Sequence, residues 1–180
     1  MKIALVGHSQ IPKIFRPKEP DVEVKIFRAP GAKAVQFNGD TRLNRVLEYK
    51  HDLTFLWIGS NDLRTGVNTA EISLQIKSIA KRIQDACGSK VILVTPENRS
   101  CDRIKREEHK VPQTEYDRMR KAVRKSLRGD KRFLSTDLGT TCWKLAADGI
   151  HLSSQSKATV NQKLSILIKQ HKDGTRGPRY

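Results

Sequence analysis

The sequence predicts an α/β fold, namely a three-layer α/β/α sandwich on a five-stranded parallel sheet of the flavodoxin-like kind. Short apolar segments alternate along the chain with longer segments in which apolar residues recur every three or four positions. The first pattern is typical of buried strands and the second of amphipathic helices. Their alternation indicates βαβ units, in which right-handed crossovers place helices on both faces of a mostly parallel sheet.

Five strands are predicted, and three of them are almost wholly apolar. The predicted strands cover residues 2–7, 22–29, 53–59, 90–96 and 132–137. The first, third and fourth are the apolar ones, as expected where helices cover both faces of a parallel sheet. The fifth has the weakest apolar pattern.

Four helices are predicted between and after these strands. They cover residues 40–49, 69–86, 113–128 and 155–170. In the second helix, four isoleucines recur at spacings of four, three and four, which places them on one face. Asn68 and Glu71 resemble a capping box at the start of that helix.

The length of 180 residues and the 37% hydrophobic composition suit one domain with a sizeable core. We expect that domain to span residues 1–171 and to be followed by a polar, disordered tail at 172–180. No apolar run reaches the roughly 18 residues that a membrane span needs. The N-terminus has no cleavage-site pattern, so no signal peptide is expected.

The cysteines indicate an intracellular protein, cytoplasmic or nuclear. There are three, an odd number, and none forms a CxxC pair. That usage favours reduced thiols over a disulfide framework. A zinc site built from Cys101 and His109 would lack the usual ligand spacing, so we expect neither a metal nor another cofactor.

The charge predicts a polyanionic partner, RNA or single-stranded DNA. The chain has 35 Lys+Arg against 19 Asp+Glu, a net charge of +16. Residues 99–132 hold 13 Lys+Arg against six Asp+Glu, a surplus of +7. Within them, six cations are predicted to surround the solvent side of the 113–128 helix and to bind phosphates: Arg118, Arg120, Lys121, Arg124, Lys125 and Arg128. The alternative is an ordinary solvated helix face.

Polar residues follow several strands. Ser9 follows the first strand, Gly31 the second and Asn61 the third, while Asp148 and His151 precede the last helix. In a parallel sheet, ligands bind beyond the carboxyl ends of the strands. Each residue taken alone is more typical of a turn or a helix cap. Together they predict one site.

That set suits acyl transfer. Histidine is the usual base for a serine nucleophile, and a carboxylate fixes its tautomer. The sequence therefore predicts Ser9 as nucleophile, His151 as general base and Asp148 as the orienting carboxylate. The amides of Ser9 and Gly31 and the side-chain amide of Asn61 are predicted to form the oxyanion hole.

The same residues resemble the motifs of the SGNH (GDSL-type) hydrolases. Ser9 matches the nucleophile block, Gly31 the glycine block, residues 59–62 the G-x-N-D block and residues 148–151 the D-x-x-H block. His8 departs from the pattern, since the family usually has Asp there. The resemblance implies a cofactor-independent serine esterase that acts on short-chain, acetyl-type esters.

The basic balance suggests a second possibility on the same fold. The chain is similar to the esterase-like domains of some LINE retrotransposon first-reading-frame proteins and to the RNA-binding OSK domain. These resemblances imply, as an alternative to the enzyme, a non-enzymatic nucleic-acid-binding module. No pattern in the sequence indicates an oligomeric state.

Overall fold

The computed structural model describes residues 1–13, 15–104, 110–138 and 144–174. The strands are β1 (Lys2–Gly7), β2 (Glu23–Arg28), β3 (Leu53–Trp57), β4 (Lys90–Val94) and β5 (Leu134–Thr136). The helices are α1 (Ala34–Asn38), α2 (Thr41–Glu48), α3 (Thr69–Cys87), α4 (Gln113–Gly129) and α5 (Ser154–Lys172). One turn of 3₁₀ helix spans Cys101–Arg103.

The five strands form one parallel sheet in the order β2-β1-β3-β4-β5. The chain first adds β2 on one side of β1 and then builds β3, β4 and β5 on the other side. The strand order therefore reverses beside β1, and in sheets of this kind ligands bind at that point. The loops after β1, β2 and β3 are neighbours at the carboxyl edge of the sheet, by which we mean the edge where the strands end.

Helices cover both faces of the sheet, which confirms the predicted sandwich. Successive strand side chains point to opposite faces. In β1, Ala4 and Val6 pack in the apolar cluster that holds the buried residues of α1 to α4. Ile3 and Leu5 pack in a second cluster, to which α5 contributes Val160, Leu164 and Ile168.

The predicted strands and helices are all present, with bounds that shift by up to two residues. The Asn68 half of the capping-box prediction for α3 is confirmed, because its side chain accepts hydrogen bonds from the amides of Ala70 and Glu71. The Glu71 carboxylate instead accepts from Nε2 of Gln75 at 2.6 Å. The short helix α1 was not predicted. A side chain from another segment stabilises its first turn. Both carboxylate oxygens of Asp62 accept a hydrogen bond from the Ala34 amide, at 3.0 and 2.9 Å. That contact also explains why a carboxylate follows Asn61.

The last helix continues to Lys172, one residue into the predicted tail. Residues 175–180 lie outside the described residues, so the disorder of the tail and the domain limits stay predictions. Within the described part of the chain, no helix is both long enough and apolar enough to cross a bilayer.

Candidate active site

Three side chains that are far apart in the sequence form a hydrogen-bonded chain at the carboxyl edge of the sheet. The Oγ atom of Ser9 lies 3.1 Å from Nε2 of His151. The Nδ1 atom of the same ring lies 2.6 Å from Oδ2 of Asp148. Both distances are within the reach expected between a nucleophile, its base and an orienting group. The structure thus brings together the three residues predicted as a triad, while their catalytic roles stay a prediction.

The state of Asp148 fixes which nitrogen of His151 carries the proton. Partial burial acts to raise the pKa of Asp148. Hydrogen bonds from the His151 ring and from the amides of His151 and Ile150 outweigh it and lower the pKa to about 2. An ionised carboxylate only accepts, so Nδ1 of His151 is the donor and Nε2 is left to accept the Ser9 proton. This is the tautomer that a general base needs.

A tight turn holds Asp148 and His151 in place. Asp148 accepts hydrogen bonds from the amides of Ile150 and His151 at 3.0 and 2.9 Å, which closes the turn on its own side chain. Gly149 has a φ of +69°, and a Cβ there would lie 2.5 Å from the Ser100 carbonyl oxygen. The glycine in this motif is therefore required both by its backbone conformation and by the close approach of the loop after β4.

Gln10 ties the nucleophile loop to the histidine turn. Its Nε2 donates to the Ile150 carbonyl at 2.6 Å, and its Oε1 accepts from the Leu152 amide at 3.1 Å. The side chain thus bridges the backbone on either side of His151. Gln10 is only 1% exposed and follows Ser9 directly, so its two hydrogen bonds set the distance between the two loops.

Asn61 lies in the loop after β3, at the carboxyl edge of the sheet. Its Nδ2 donates one hydrogen bond to the Ala32 carbonyl at 3.1 Å, and its Oδ1 accepts from Nη2 of Arg99 at 2.7 Å. A side-chain amide has two N–H donors, so one is left for an oxyanion. Gly31 has a φ of +74°, and a Cβ there would meet no protein atom within 4 Å. Backbone conformation thus favours a glycine, and no described protein atom fills the space beside it.

A buried polar cluster lies behind these residues and consists of His8, Trp57, Ser60, Glu97 and Arg99. Its centre is Glu97, which is 1% exposed. The Oε2 atom of Glu97 accepts from Ser60 Oγ at 2.5 Å and from Trp57 Nε1 at 3.1 Å, and it lies 3.6 Å from Nε2 of His8. Burial acts to raise the pKa of Glu97, but His8, Arg99 and the Ser60 hydroxyl hold it at about 2. An ionised carboxylate is therefore enclosed directly under the site.

The buried polar cluster contains a second Ser, His and acid set, but its geometry differs from a triad. His8 Nε2 lies 3.2 Å from Ser60 Oγ, yet both atoms contact the same oxygen of Glu97. The histidine is not placed between the serine and the acid, and its Nδ1 accepts from the Gln10 amide at 3.3 Å instead of donating to a carboxylate. Ser60 is 0% exposed and His8 1%, which excludes substrate. His8, the departure from the family motif, is therefore a buried structural residue.

Sequence reasoning missed Gln10, Glu97 and Arg99. The signal for Glu97 was present, because it stands just after β4, where a strand end meets the carboxyl edge. The charged segment 96–112 is also unusually long for an irregular connection, and such loops are often functional. Gln10 gave no signal, because its partners are backbone groups 140 and 142 positions away.

The predicted basic face on α4 is wrong in part. Arg120 is buried, 8% exposed, with Nε 3.7 Å from Oδ1 of Asp117. Arg124 and Arg128 both pair with Asp137, which directly follows β5 and is not part of the helix. Arg120 lies four positions after Tyr116 and three before Val123, so it is on the buried face of the helix. Three of the six cations are exposed on the helix without an ion pair among the described residues: Arg118, Lys121 and Lys125.

No metal centre is evident in the part of the chain that the structure describes. No group of three or more His, Cys, Asp or Glu residues there is arranged to hold a metal ion. Cys87 and Cys101 are free thiols. Cys142, the third cysteine, and His109, on which the zinc alternative depends, lie outside the described residues. The intracellular location stays a prediction.

Comparison with solved structures relates the fold to several bacterial and fungal proteins. A lipase/acylhydrolase from Enterococcus faecalis is 24% identical, with a TM-score of 0.71 over 94% of this chain and 96% of that one. Est24, a carbohydrate acetylesterase from Sinorhizobium meliloti, is 14% identical, with a TM-score of 0.74 over 94% and 99%. A carbohydrate esterase family 3 protein from Talaromyces cellulolyticus is 14% identical, with a TM-score of 0.70 over 97% and 99%. At these identities the likeness shows the fold alone.

Comparison of the sequence with protein-family profiles identifies the family of the chain. A search of curated proteins found no match to the chain. The profile of the GDSL-like lipase/acylhydrolase family matches residues 6–157, which include every residue discussed above as part of the candidate site. Taken with the SGNH-type fold, this match shows that the chain belongs to the GDSL-like lipase/acylhydrolase family.

Proposed function

We infer that the protein is a serine esterase that hydrolyses short-chain, acetyl-type carboxylic esters. The observation that carries this inference is the hydrogen-bonded chain from Ser9 through His151 to Asp148, with both distances at 3.1 Å or less. Family membership supports a hydrolase in general terms. The His151 and Asp148 side chains are 41% and 48% exposed. This exposure supports the proposal, because a substrate could reach the three residues from solvent.

The proposed reaction follows from the donors and acceptors at the site. Ser9 Oγ attacks the ester carbonyl carbon while its proton passes to Nε2 of His151. The oxyanion then accepts hydrogen bonds from the free N–H of Asn61 and from the amides of Ser9 and Gly31. The C–O bond between the acyl carbon and the alcohol oxygen then breaks, and His151 gives the proton that it took from Ser9 to the leaving alcohol. Water then passes a proton to His151 and attacks the acyl carbon. The bond to Ser9 Oγ breaks, and His151 returns the proton to Ser9 as the carboxylic acid leaves.

The preference for a short acyl group rests on the openness of the site. A long acyl chain is held by burying apolar surface, at roughly 25 cal/mol per Å². The candidate site residues that the structure describes are instead polar or glycine, and Asp148 is exposed. A small acyl group on a bulky or polar alcohol suits such a site. The name of the acetylesterase Est24, whose fold is similar, is consistent with this proposal.

The first test is hydrolysis of p-nitrophenyl esters by the purified protein. We expect p-nitrophenyl acetate to be cleaved faster than p-nitrophenyl dodecanoate. His151→Ala should lower kcat on the acetate on the order of a thousandfold or more, because triad members act as a unit. Release of p-nitrophenolate at 405 nm is a convenient readout. Equal rates for wild type and His151→Ala would contradict the proposed role of His151.

Nucleic-acid binding is the second candidate function, and one observation favours it. Arg118, Lys121 and Lys125 are all exposed, and their spacings of three and four place them along one line of α4. Cations along a line are suited to contact successive phosphates without reading the bases. We propose weak, sequence-tolerant binding of RNA or single-stranded DNA to this line, independent of Ser9.

Charge reversal tests that proposal. Changing Arg118, Lys121 and Lys125 to Glu should weaken binding of oligo(U) and lower the slope of log affinity against log salt by roughly two, since each lost phosphate contact contributes about 0.7 for single strands. Changing Lys157, Lys163 and Lys169 on α5 to Glu is the matched control with the same charge change. Equal losses in both variants would assign the effect to net charge and would refute a site on α4.

A further inference from the structure

We propose that Arg99 is a positioning residue for the oxyanion hole, which orients the amide of Asn61 and is itself held by buried Glu97. The inference rests on the proposed esterase function and concerns the same site. It adds a residue from the loop after β4, which lies outside the four sequence blocks that carry the family resemblance.

Both ends of the Asn61 side chain are held. Nη2 of Arg99 donates to Oδ1 at 2.7 Å, and Nδ2 donates to the Ala32 carbonyl at 3.1 Å. A guanidinium has only donors, so it accepts no bond from Nδ2 and selects the orientation in which Oδ1 faces Arg99. If the amide flipped, Oδ1 would meet the Ala32 carbonyl and repel it. Arg99 therefore holds the amide in the orientation that leaves one N–H of Nδ2 free to act as an oxyanion donor.

Arg99 is itself immobilised. It is 8% exposed, and its guanidinium lies over the Tyr116 ring, with 5.7 Å between Cζ and the ring centroid. Its Nη2 lies 3.9 Å from Oε1 of Glu97. The Tyr116 hydroxyl donates to the backbone carbonyl of Glu97 at 3.0 Å, which fixes the start of the loop. A buried cation needs a nearby opposite charge, and ionised Glu97 supplies it.

The charge on Arg99 also strengthens the donor that it orients. A hydrogen bond to a charged group is shorter and stronger than a neutral one. Donation to Oδ1 draws electron density from the amide and makes its N–H groups better donors, because hydrogen bonds in a chain polarise one another. The effect is greatest when negative charge develops on the substrate oxygen, so it should raise kcat more than it lowers KM.

The test is a double-mutant cycle between Arg99 and Asn61 with p-nitrophenyl acetate as substrate. Arg99→Met keeps much of the side-chain volume and removes the donors. Loss of one oxyanion donor lowers kcat by about a hundredfold or more. Because Arg99 acts through Asn61, we expect Arg99→Met to cause only part of that loss and to lower kcat about tenfold or more. KM should change by less than about threefold. In an Asn61→Ala background the same substitution should change kcat by less than about threefold.

Controls separate positioning from loss of structure. Arg45→Gln removes an exposed arginine on α2 and should leave kcat near that of the wild type. Thermal melts identify variants that do not fold. If Arg99→Met does not fold, Arg99→Lys, which keeps the charge beside Glu97, replaces it in the cycle. If both variants fold, Arg99→Lys should recover part of the kcat lost in Arg99→Met.

The outcomes distinguish this inference from the proposed function. Wild-type protein without esterase activity would refute the proposed function. Active wild-type protein in which the Arg99 and Asn61 effects on kcat simply multiply would refute only the positioning role. If Asn61→Ala lowers kcat and Arg99→Met has almost no further effect on kcat in that background, the positioning role is supported.

Discussion

Ser9→Ala is expected to reduce ester hydrolysis by roughly a thousandfold or more, to the level of the assay blank. Removal of the nucleophile of a triad abolishes the acyl-enzyme route and leaves only what the oxyanion donors and substrate binding contribute. The Ser9 hydroxyl is part-buried and contacts Nε2 of His151 at 3.1 Å, whereas Ser60 is fully buried. Ser9 is therefore the serine from which the reaction should start. Initial rates with p-nitrophenyl acetate at saturating substrate measure the effect.

Ser165→Ala, on the second half of α5, is the matched control and should leave kcat unchanged. The Ser9→Ala variant should also melt within a few degrees of the wild type, because only one hydrogen bond to His151 is lost. Substantial activity in a folded Ser9→Ala protein would place the nucleophile elsewhere.

Glu97→Gln is expected to have the largest effect on stability among single changes at the site. It leaves the side-chain volume almost unchanged but removes the negative charge beside Arg99 and His8. Breaking a buried ion pair costs about 3–5 kcal/mol, since the partner charge is left without compensation. For a domain of this size, that corresponds to a fall in Tm of roughly 10 °C. Glu48→Gln, on the exposed end of α2, should change Tm by about a degree at most.

The same carboxylate should make stability depend on pH at acid values. The pKa of Glu97 is about 2 in the folded protein, against an ordinary value of 4.5. Its folded pKa is lowered, so its contribution is complete above about pH 4.5 and is lost as the pH falls toward 2. A shift of this size corresponds to about 3 kcal/mol. Between these pH values, urea unfolding should show a steeper loss of stability in the wild type than in Glu97→Gln. Parallel pH curves for the two proteins would contradict the assigned ionisation of Glu97.

The fold could be predicted because its causes are local. Apolar strands such as 53–57 and helices with one apolar stripe such as 69–87 have distinct periodicities, and their alternation restricts the topology. The placement of Ser9 and Asn61 at one edge of the sheet followed from the same reasoning, since parallel strands end at one edge. Helix α1 was missed because five residues are too few to show a periodicity.

The supporting contacts could not be predicted because they depend on packing between distant segments. Arg99 and Asn61 are 38 positions apart, and Gln10 meets Ile150 across 140 positions. Arg120 was placed on the solvent side from composition, whereas the rotation of α4 on the sheet turns it inward. Asp137, which pairs with Arg124 and Arg128, lies in the segment after β5, so charge counted along one helix overestimated the free positive charge.

Labelling with a fluorophosphonate probe, followed by peptide mass spectrometry, tests the central claim most directly. The probe reacts only with a serine whose hydroxyl is activated by a base and is accessible. We expect a single adduct on Ser9, formed within minutes by native protein and absent from His151→Ala and from heat-denatured protein. An adduct on Ser60 or another serine, or an unmodified Ser9 in protein that hydrolyses esters, would contradict the assignment of Ser9 as the nucleophile.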